Sequence, residues 1–363
     1  MMDADPRELA EIRRRIDAVD RQLLEAFNQR ARLARRVAEI KRDAGDGDDI
    51  YRPEREAEVL RALREANQGP FDDDTVAGLF QEVMAACRTL QRRIVVAFPG
   101  PPGTFTEAAA RKQFGNGVET RAIDTIDGVF REVEAETADF GVVPVENSTE
   151  GVVSHTLDSL VRSRLAICGE IELRIHHCVV GQAEELSAVG RVYAHQQSLA
   201  QCRKWLDREL VNAERYGVES TAEAARRAAA EPGTVALAGV LAARTYGLEV
   251  LASNVEDEPG GRTRFLVIGA RHARPSGFDK TTVLLAARDR PGVLYDLLNA
   301  FARRAINLTR IESRQARDAL WDYAWFIDLE GHAEDPPIVA ALEELGGEAV
   351  VCKVLGSYPR GVH

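Results

Sequence analysis

RELAEIRRRIDAVDRQLLEAFNQRARLARRVAEIK, residues 7–41, decides how the chain begins. Its apolar residues Leu9, Ile12, Ile16, Val19, Leu23, Phe27, Leu33, Val37 and Ile40 recur at steps of mostly three and four, the period of an amphipathic helix. Neither Pro nor Gly interrupts positions 7–44. The spacing predicts one helix of about 35 residues, roughly 50 Å long. Such a rod is too long to wrap its apolar stripe around a core of its own, so it needs a partner, most simply a second copy of itself. The GDGDD run at 45–49 ends it, a second helix opens near Pro53, and a third covers about Asp74 to Gln91. Residues 1–92 therefore read as an all-α domain.

From Ile94 the texture changes. Short apolar runs (IVVAF 94–98, FGVVPV 140–145, RVYAH 191–195, TVALAG 234–239, RFLVIGA 264–270) alternate with helical stretches such as TFTEAAARKQF 104–114. That alternation predicts βα units on a mostly parallel sheet. ICGEIELRIHHCVVG, 167–181, is long enough to cross between two lobes, with His176 and His177 on alternating faces of a strand. Residues 93–272 thus read as a two-lobed α/β domain with a cleft. The polar stretch 271–280 is a linker, and 280–360 follows the order βαββαβ, a ferredoxin-like α+β plan.

The 363 residues carry 47 basic and 58 acidic side chains, a net charge of -11, which speaks against nucleic-acid binding. A few local arginines still suffice for a small anion. The five cysteines (Cys87, Cys168, Cys178, Cys202, Cys352) are scattered without a CxxC pair, as reduced thiols of a cytoplasmic protein would be. No apolar run has membrane-spanning length, and the first residues lack a signal-peptide core. His155, His176, His177 and His195 have no metal-ligand spacing, and neither a GxGxxG nor a Walker pattern is present, so no metal or cofactor is expected.

On the first helix, Arg30 and Lys41 differ by about 20° around the axis and about 16 Å along it, so both side chains converge on a small anion. Arg13 lies about 25 Å below Arg30 and about 100° around, and joins that pocket only from a partner chain. Periodicity alone leaves open that these are solvated cations. The long helix, YRPERE (51–56) and LFQEVMAACRTLQ (79–91) resemble the all-helical chorismate mutases. The resemblance implies that Arg13 of the partner and Arg30 hold the two carboxylates of chorismate. Lys41 and Gln91 would bond its ether oxygen, and Arg55 with Glu56 its ring hydroxyl. Two positions depart from that pattern: Arg52 stands where an acidic residue is usual, and Cys87 where serine is. Both line the implied substrate pocket and are expected to tune affinity.

In the second domain ENSTEG (146–151), AHQQSLAQC (194–202) and TRF (263–265) each lie beside an apolar run, where open α/β sheets bind ligands. Ser148, Thr149 and the Ser220–Thr221 pair are also good helix caps, and either role remains open for each. GPPGTFTEAA (100–109), VPVENSTEG (143–151), ESTAEAA (219–225) and TRFLVIG (263–269) resemble the prephenate dehydratases. That resemblance implies a periplasmic-binding-protein-like fold and a cleft of Asn147, Ser148, Gln201, Thr263, Arg264 and Phe265. Thr263 would serve as proton relay or hydrogen-bond donor, and Arg264 as a carboxylate clamp. Ala194 replaces a usual serine of the family.

DRPGVLYDLL (289–298) and INLTRIESR (306–314) resemble the ACT domain of the bifunctional P-proteins. The resemblance implies that Gly292, Val293 and Leu294, with Glu312, Ser313 and Arg314, bind L-phenylalanine as an allosteric inhibitor between subunits. Gln315 replaces a family proline and so keeps a backbone N–H. The expected whole is a homodimeric or larger, feedback-inhibited enzyme taking chorismate through prephenate to phenylpyruvate. The alternatives are an arogenate-preferring dehydratase and a non-catalytic two-lobed binding protein.

Overall fold

The computed structural model describes residues 6–44, 51–149, 151–183, 185–315 and 323–361. Helix α1 runs unbroken over Pro6–Asp43. It is followed by α2 (Pro53–Ala66), opened by its proline, and α3 (Asp73–Thr89), capped by Asp72, whose carboxylate accepts the Thr75 N–H at 2.7 Å. The helices α2 and α3 pack on each other through Leu60, Ala77 and Met84. Helix α1 touches α3 but leaves its apolar stripe bare: the nine residues from Leu9 to Ile40 named above are 45–61 % exposed.

The two-lobed segment begins with β1 (Val95–Pro99), α4 (Phe105–Phe114), β2 (Glu119–Ile123), α5 (Ile126–Glu134), β3 (Phe140–Asn147), β4 (Gly151–Val152), α6 (Ser154–Arg162) and β5 (Ala166–Arg174). The chain then crosses to the second lobe. There β6 (Cys178–Gly181), β7 (Arg191–His195), α7 (Gln196–Gln201), α8 (Arg203–Glu209), β8 (Glu214–Val218), α9 (Thr221–Ala230), β9 (Thr234–Ala238), α10 (Val240–Tyr246) and β10 (Glu249–Ala252) form a sheet of order β10-β6-β9-β7-β8. It returns as β11 (Arg262–Gly269), completing a first-lobe sheet of order β2-β1-β3-β11-β5 with β4 on β3.

The sheets are more mixed than the alternation suggested. The pairs β1–β2, β1–β3, β7–β8 and β7–β9 are parallel, whereas β11 is antiparallel to both β3 and β5, and β6 is antiparallel to β9 and β10. The cause is the double crossing: a strand returning from the far lobe enters the sheet from the cleft end. His176 and His177 lie in the crossing segment itself, not on a strand.

The C-terminal segment comprises β12 (Asp279–Ala287), α11 (Val293–Ala302), β13 (Leu308–Gln315), β14 (Tyr323–Glu330), α12 (Pro336–Glu348) and β15 (Val351–Pro359), with sheet order β13-β14-β12-β15. Gly292 opens α11 at φ 84°, a left-handed conformation that favours glycine. One face of this sheet carries the two helices over Leu285, Trp325 and Ile327. The other lies on the first lobe, where Leu284, Phe326 and Tyr358 join Ile167, Leu266 and Ile268 in one core. Tyr51, just ahead of α2, is embedded in the first lobe against Phe114 and Phe140, at ring-centroid distances of 4.9 and 5.2 Å. All three segments therefore share packed interfaces.

Candidate active sites

A cavity of about 320 Å³ opens between α1, α2 and α3. Arg30, Lys41, Arg52, Arg55, Glu56, Cys87 and Gln91 all line it. Arg30 and Lys41 come from one face of α1, Arg52 from the cap of α2 with Arg55 and Glu56 in its first turn, Cys87 from the last turn of α3 and Gln91 from just beyond it. Cys87 is buried, and Arg55 also donates to Glu58 at 2.8 Å. Arg13 is exposed, more than four helical turns along α1 from Arg30, and is not among the residues lining the cavity. One further cation lines the cavity that the motifs did not assign, Arg88. The signal was present in the spacing: Ala77, Met84, Ala85 and Arg88 form the buried stripe of α3, an odd place for an arginine.

The second site lies between the lobes, in a cleft of about 620 Å³ whose lining includes Ser148, Thr149, His177, Gln197, Gln201 and Glu256. Next to Ser148, and behind the residues that line the cleft, Thr263 of β11 pairs with Asn147 of β3. The Asn147 amide donates to the Thr263 hydroxyl oxygen at 2.9 Å, so the hydroxyl's own proton points elsewhere. The Asn147 carbonyl accepts from the Thr149 N–H at 2.8 Å and from Gln197 of the second lobe at 3.3 Å. Gln201 donates to the Thr149 hydroxyl at 3.0 Å, and its carbonyl meets His177 Nε2 at 2.9 Å. Side-chain amides of one lobe thus reach a hydroxyl and an amide of the other.

His177 is 3 % exposed; burial lowers its pKa, so it is held neutral with Nε2 as donor to Gln201. Beside it, burial works against the Glu256 carboxylate, but backbone amides and His176 hold its pKa below the ordinary value. Ser148 and Thr149 are not helix caps: the Ser148 hydroxyl accepts the Arg262 N–H at 3.0 Å. Ser220 is one, accepting the Glu223 N–H at 3.0 Å. Ala194 is wholly buried in the second-lobe core.

Family patterns cover the chain in series: chorismate mutase type II over residues 12–92, prephenate dehydratase over 96–273 and ACT domain over 281–347. The bifunctional chorismate mutase/prephenate dehydratase of Pseudomonas aeruginosa is 49 % identical across 99 % of this chain and 100 % of its own, and that of Stutzerimonas stutzeri 48 % across 100 % of both. The chain belongs to the bifunctional chorismate mutase/prephenate dehydratase family. A solved prephenate dehydratase from Arthrobacter aurescens, in complex with L-Phe, is 36 % identical with a TM-score of 0.69, over 74 % of this chain and 90 % of that one.

Two expectations for the dehydratase cleft are corrected. Successive residues of a strand face opposite ways, so Thr263 and Arg264 cannot share a face. Arg264 turns to the ACT sheet, donating to Glu170 at 2.9 Å, Asp328 at 2.6 Å and the Tyr358 hydroxyl at 3.0 Å. Lys280 meets the same Glu170 carboxylate at 2.7 Å. Burial alone would lower the Arg264 pKa, but Tyr358, Asp328 and Glu170 raise it, so its charge is fixed. Arg264 is an interdomain bolt and not a substrate clamp. Phe265 is 1 % exposed and belongs to the first-lobe core with Phe114 and Val267.

Within one chain Glu312 and Arg314 of the second ACT motif turn away from the sheet face that carries the first. Val293 and Leu294 pack on the helix side of the sheet, next to Gly292. Arg314 faces the dehydratase lobe, donating to the Ser154 carbonyl at 2.7 Å and pairing with Asp158 at 3.2 Å. Arg310, on the same face of β13, pairs with Glu146 at 3.0 Å, and Glu312 lies between the two. Ser313 and Gln315 are exposed. Arg314 is therefore engaged with α6.

Proposed function

We propose that the chain rearranges chorismate to prephenate in the three-helix cavity and converts prephenate to phenylpyruvate in the interlobe cleft. The observation that carries this reading is the convergence of three cations and an amide, Arg30, Lys41, Arg55 and Gln91, on one small cavity. The rearrangement is pericyclic: one C–O bond breaks as one C–C bond forms, with no proton transfer and no nucleophile. Such a step needs the reactive conformer held and negative charge on the ether oxygen stabilised. Arg30 and the partner's Arg13 hold the carboxylates, Lys41 and Gln91 donate to the ether oxygen, and Arg55 and Glu56 take the ring hydroxyl. Arg52 and Cys87 adjust the fit.

In the cleft, prephenate loses CO2 while its ring hydroxyl departs as water. The electrons of the breaking C–C bond enter the ring, which becomes aromatic. Thr263 delivers a hydrogen bond or relayed proton to the departing hydroxyl. Asn147 orients Thr263 by donating to its oxygen, and Gln201 and Ser148 complete the cleft. A threonine is a weak acid, so aromatisation supplies most of the driving force.

The bare apolar stripe of α1 supports a homodimer through this helix, which also brings Arg13 to the neighbouring pocket. L-phenylalanine, the ligand of the Arthrobacter relative, is assigned as inhibitor to the Gly292–Leu294 turn, with Glu312 and Ser313 supplied across a subunit contact. We place the enzyme in the cytoplasm, in keeping with five cysteines that are all unpaired.

The test is Thr263→Ala. It should cut prephenate turnover by about 100-fold or more while chorismate consumption stays near wild type. Equal loss of both activities, or full retention of dehydration, would remove Thr263 from the reaction.

A further inference from the structure

The mutase cavity holds a cation that no motif assigns. Arg88 is 5 % exposed, and its guanidinium pairs with the Glu56 carboxylate. Its Nη2 donates to the main-chain carbonyl of Gln113 at 3.0 Å, and its guanidinium carbon stands 5.5 Å from the centre of the Tyr51 ring. Gln113 belongs to α4 of the dehydratase lobe. Tyr51 is buried in that lobe's core, and its hydroxyl accepts from the Gln113 amide at 2.7 Å. The two domains are in close register here: a side chain at Gly115, just after α4, would collide with Ala85 of α3. One guanidinium is thus bracketed by a carboxylate in the mutase cavity and by a carbonyl and an aromatic face fixed in the dehydratase.

We propose that Arg88 is the positioning residue for Glu56, and that the dehydratase lobe, through Gln113 and Tyr51, sets the geometry of the mutase pocket. A buried cation is tolerated only where its partners are in place, and burial here lowers the Arg88 pKa. Its planar fork of donors serves a carbonyl and a carboxylate at once, which the point charge of a lysine does less well. Glu56 shares its cavity with Arg30, Lys41, Arg52 and Arg55. Without Arg88 its carboxylate turns to one of these, leaving the substrate hydroxyl and also blunting a cation meant for the substrate. This inference rests on the mutase reading of the cavity.

The experiment uses full-length protein and separate assays for chorismate and prephenate turnover. Arg88→Met should lower mutase kcat/KM by about 10- to 100-fold, the cost of misplacing one group in a positioned site, with prephenate turnover held. Arg88→Lys should recover part of that loss. The double variant Arg88→Met/Glu56→Gln should be no worse than the poorer single, as residues acting as a unit are non-additive. Gln113→Ala, made in the dehydratase, keeps the main-chain carbonyl that Arg88 meets but frees the Tyr51 hydroxyl; by loosening the ring over which Arg88 stands it should lower mutase activity several-fold and leave prephenate turnover unchanged. It and Arg88→Lys decide the matter should the methionine variant not fold. Wild-type mutase kinetics in Arg88→Met, or losses that multiply in the double variant, would overturn the assignment. Absence of mutase activity in the wild type would instead sink the reading of the cavity itself.

Discussion

Arg264 is the neighbour of Thr263, the strand partner of Asn147, yet its replacement should leave prephenate binding nearly intact. The side chain is 16 % exposed and bridges Glu170 of β5 to Asp328 of β14. Arg264→Met removes the bridge while filling much of the volume. Glu170 keeps Lys280 at 2.7 Å, and Asp328 keeps the Thr282 hydroxyl at 2.7 Å, so neither carboxylate is stranded alone. Breaking a buried pair from one side costs about 3–5 kcal/mol, and the remaining partners put this case near the lower end. At about 3 kcal/mol the unfolding midpoint of the dehydratase–ACT unit should drop by about 6–10 °C. Dehydratase kinetics measured well below that midpoint should show KM for prephenate within about threefold of wild type, as a group outside the cleft does not contribute binding energy to it. An unchanged midpoint together with a KM raised about 100-fold would refute the placement and restore Arg264 as a carboxylate clamp.

Mutase-dead Arg13→Ala and Lys41→Ala chains, mixed under conditions of subunit exchange, should regain about a quarter of wild-type mutase activity, because half the dimers are mixed and each carries one intact shared pocket. No recovery with exchange verified would place Arg13 outside the pocket. For pH, burial disfavours the Glu170 carboxylate, but Arg264 and Lys280 outweigh it and hold the folded pKa below the ordinary value. A carboxylate depressed in this way stabilises the fold above its unfolded pKa, near about 4.3, and the contribution fades as pH falls through that range towards the folded pKa. Thermal midpoints measured from about pH 6 to 3 should therefore fall, chiefly below about pH 5, and Glu170→Gln should lower the pH 6 value and flatten that fall. An equally steep slope in the variant would assign the acid sensitivity to other groups.

The helical domain was legible because its signals are local: residues 7–44 contain no breaker, Pro53 marks a helix start, and 100° steps put Arg30 and Lys41 on one face, while Arg52, Arg55, Glu56, Cys87 and Gln91 were implied by the resemblance to the all-helical chorismate mutases. The order βαββαβ was legible for the same reason. Strand direction was not. Nothing within RFLVIGA says that β11 arrives from the other lobe, and that long-range path makes it antiparallel to both neighbours. Arg264 and Phe265 were misread because the string TRF was taken as one site, although the strand period of two already separates Thr263 from Arg264. Arg88 escaped notice because arginines abound in the helical domain. Its distinction is its position on the buried stripe of α3, and its partners Gln113 and Tyr51 are joined to it only by folding. Arg314 illustrates the same limit, since its commitment to α6 depends on how the ACT sheet docks.

The most direct measurement is to incubate the purified chain with chorismate alone and follow both prephenate and phenylpyruvate, the latter by its absorbance in alkali. Chorismate should disappear, prephenate should rise transiently and phenylpyruvate should accumulate to match the chorismate consumed. Absence of both prephenate and phenylpyruvate from protein shown to be folded would contradict the two-site reading.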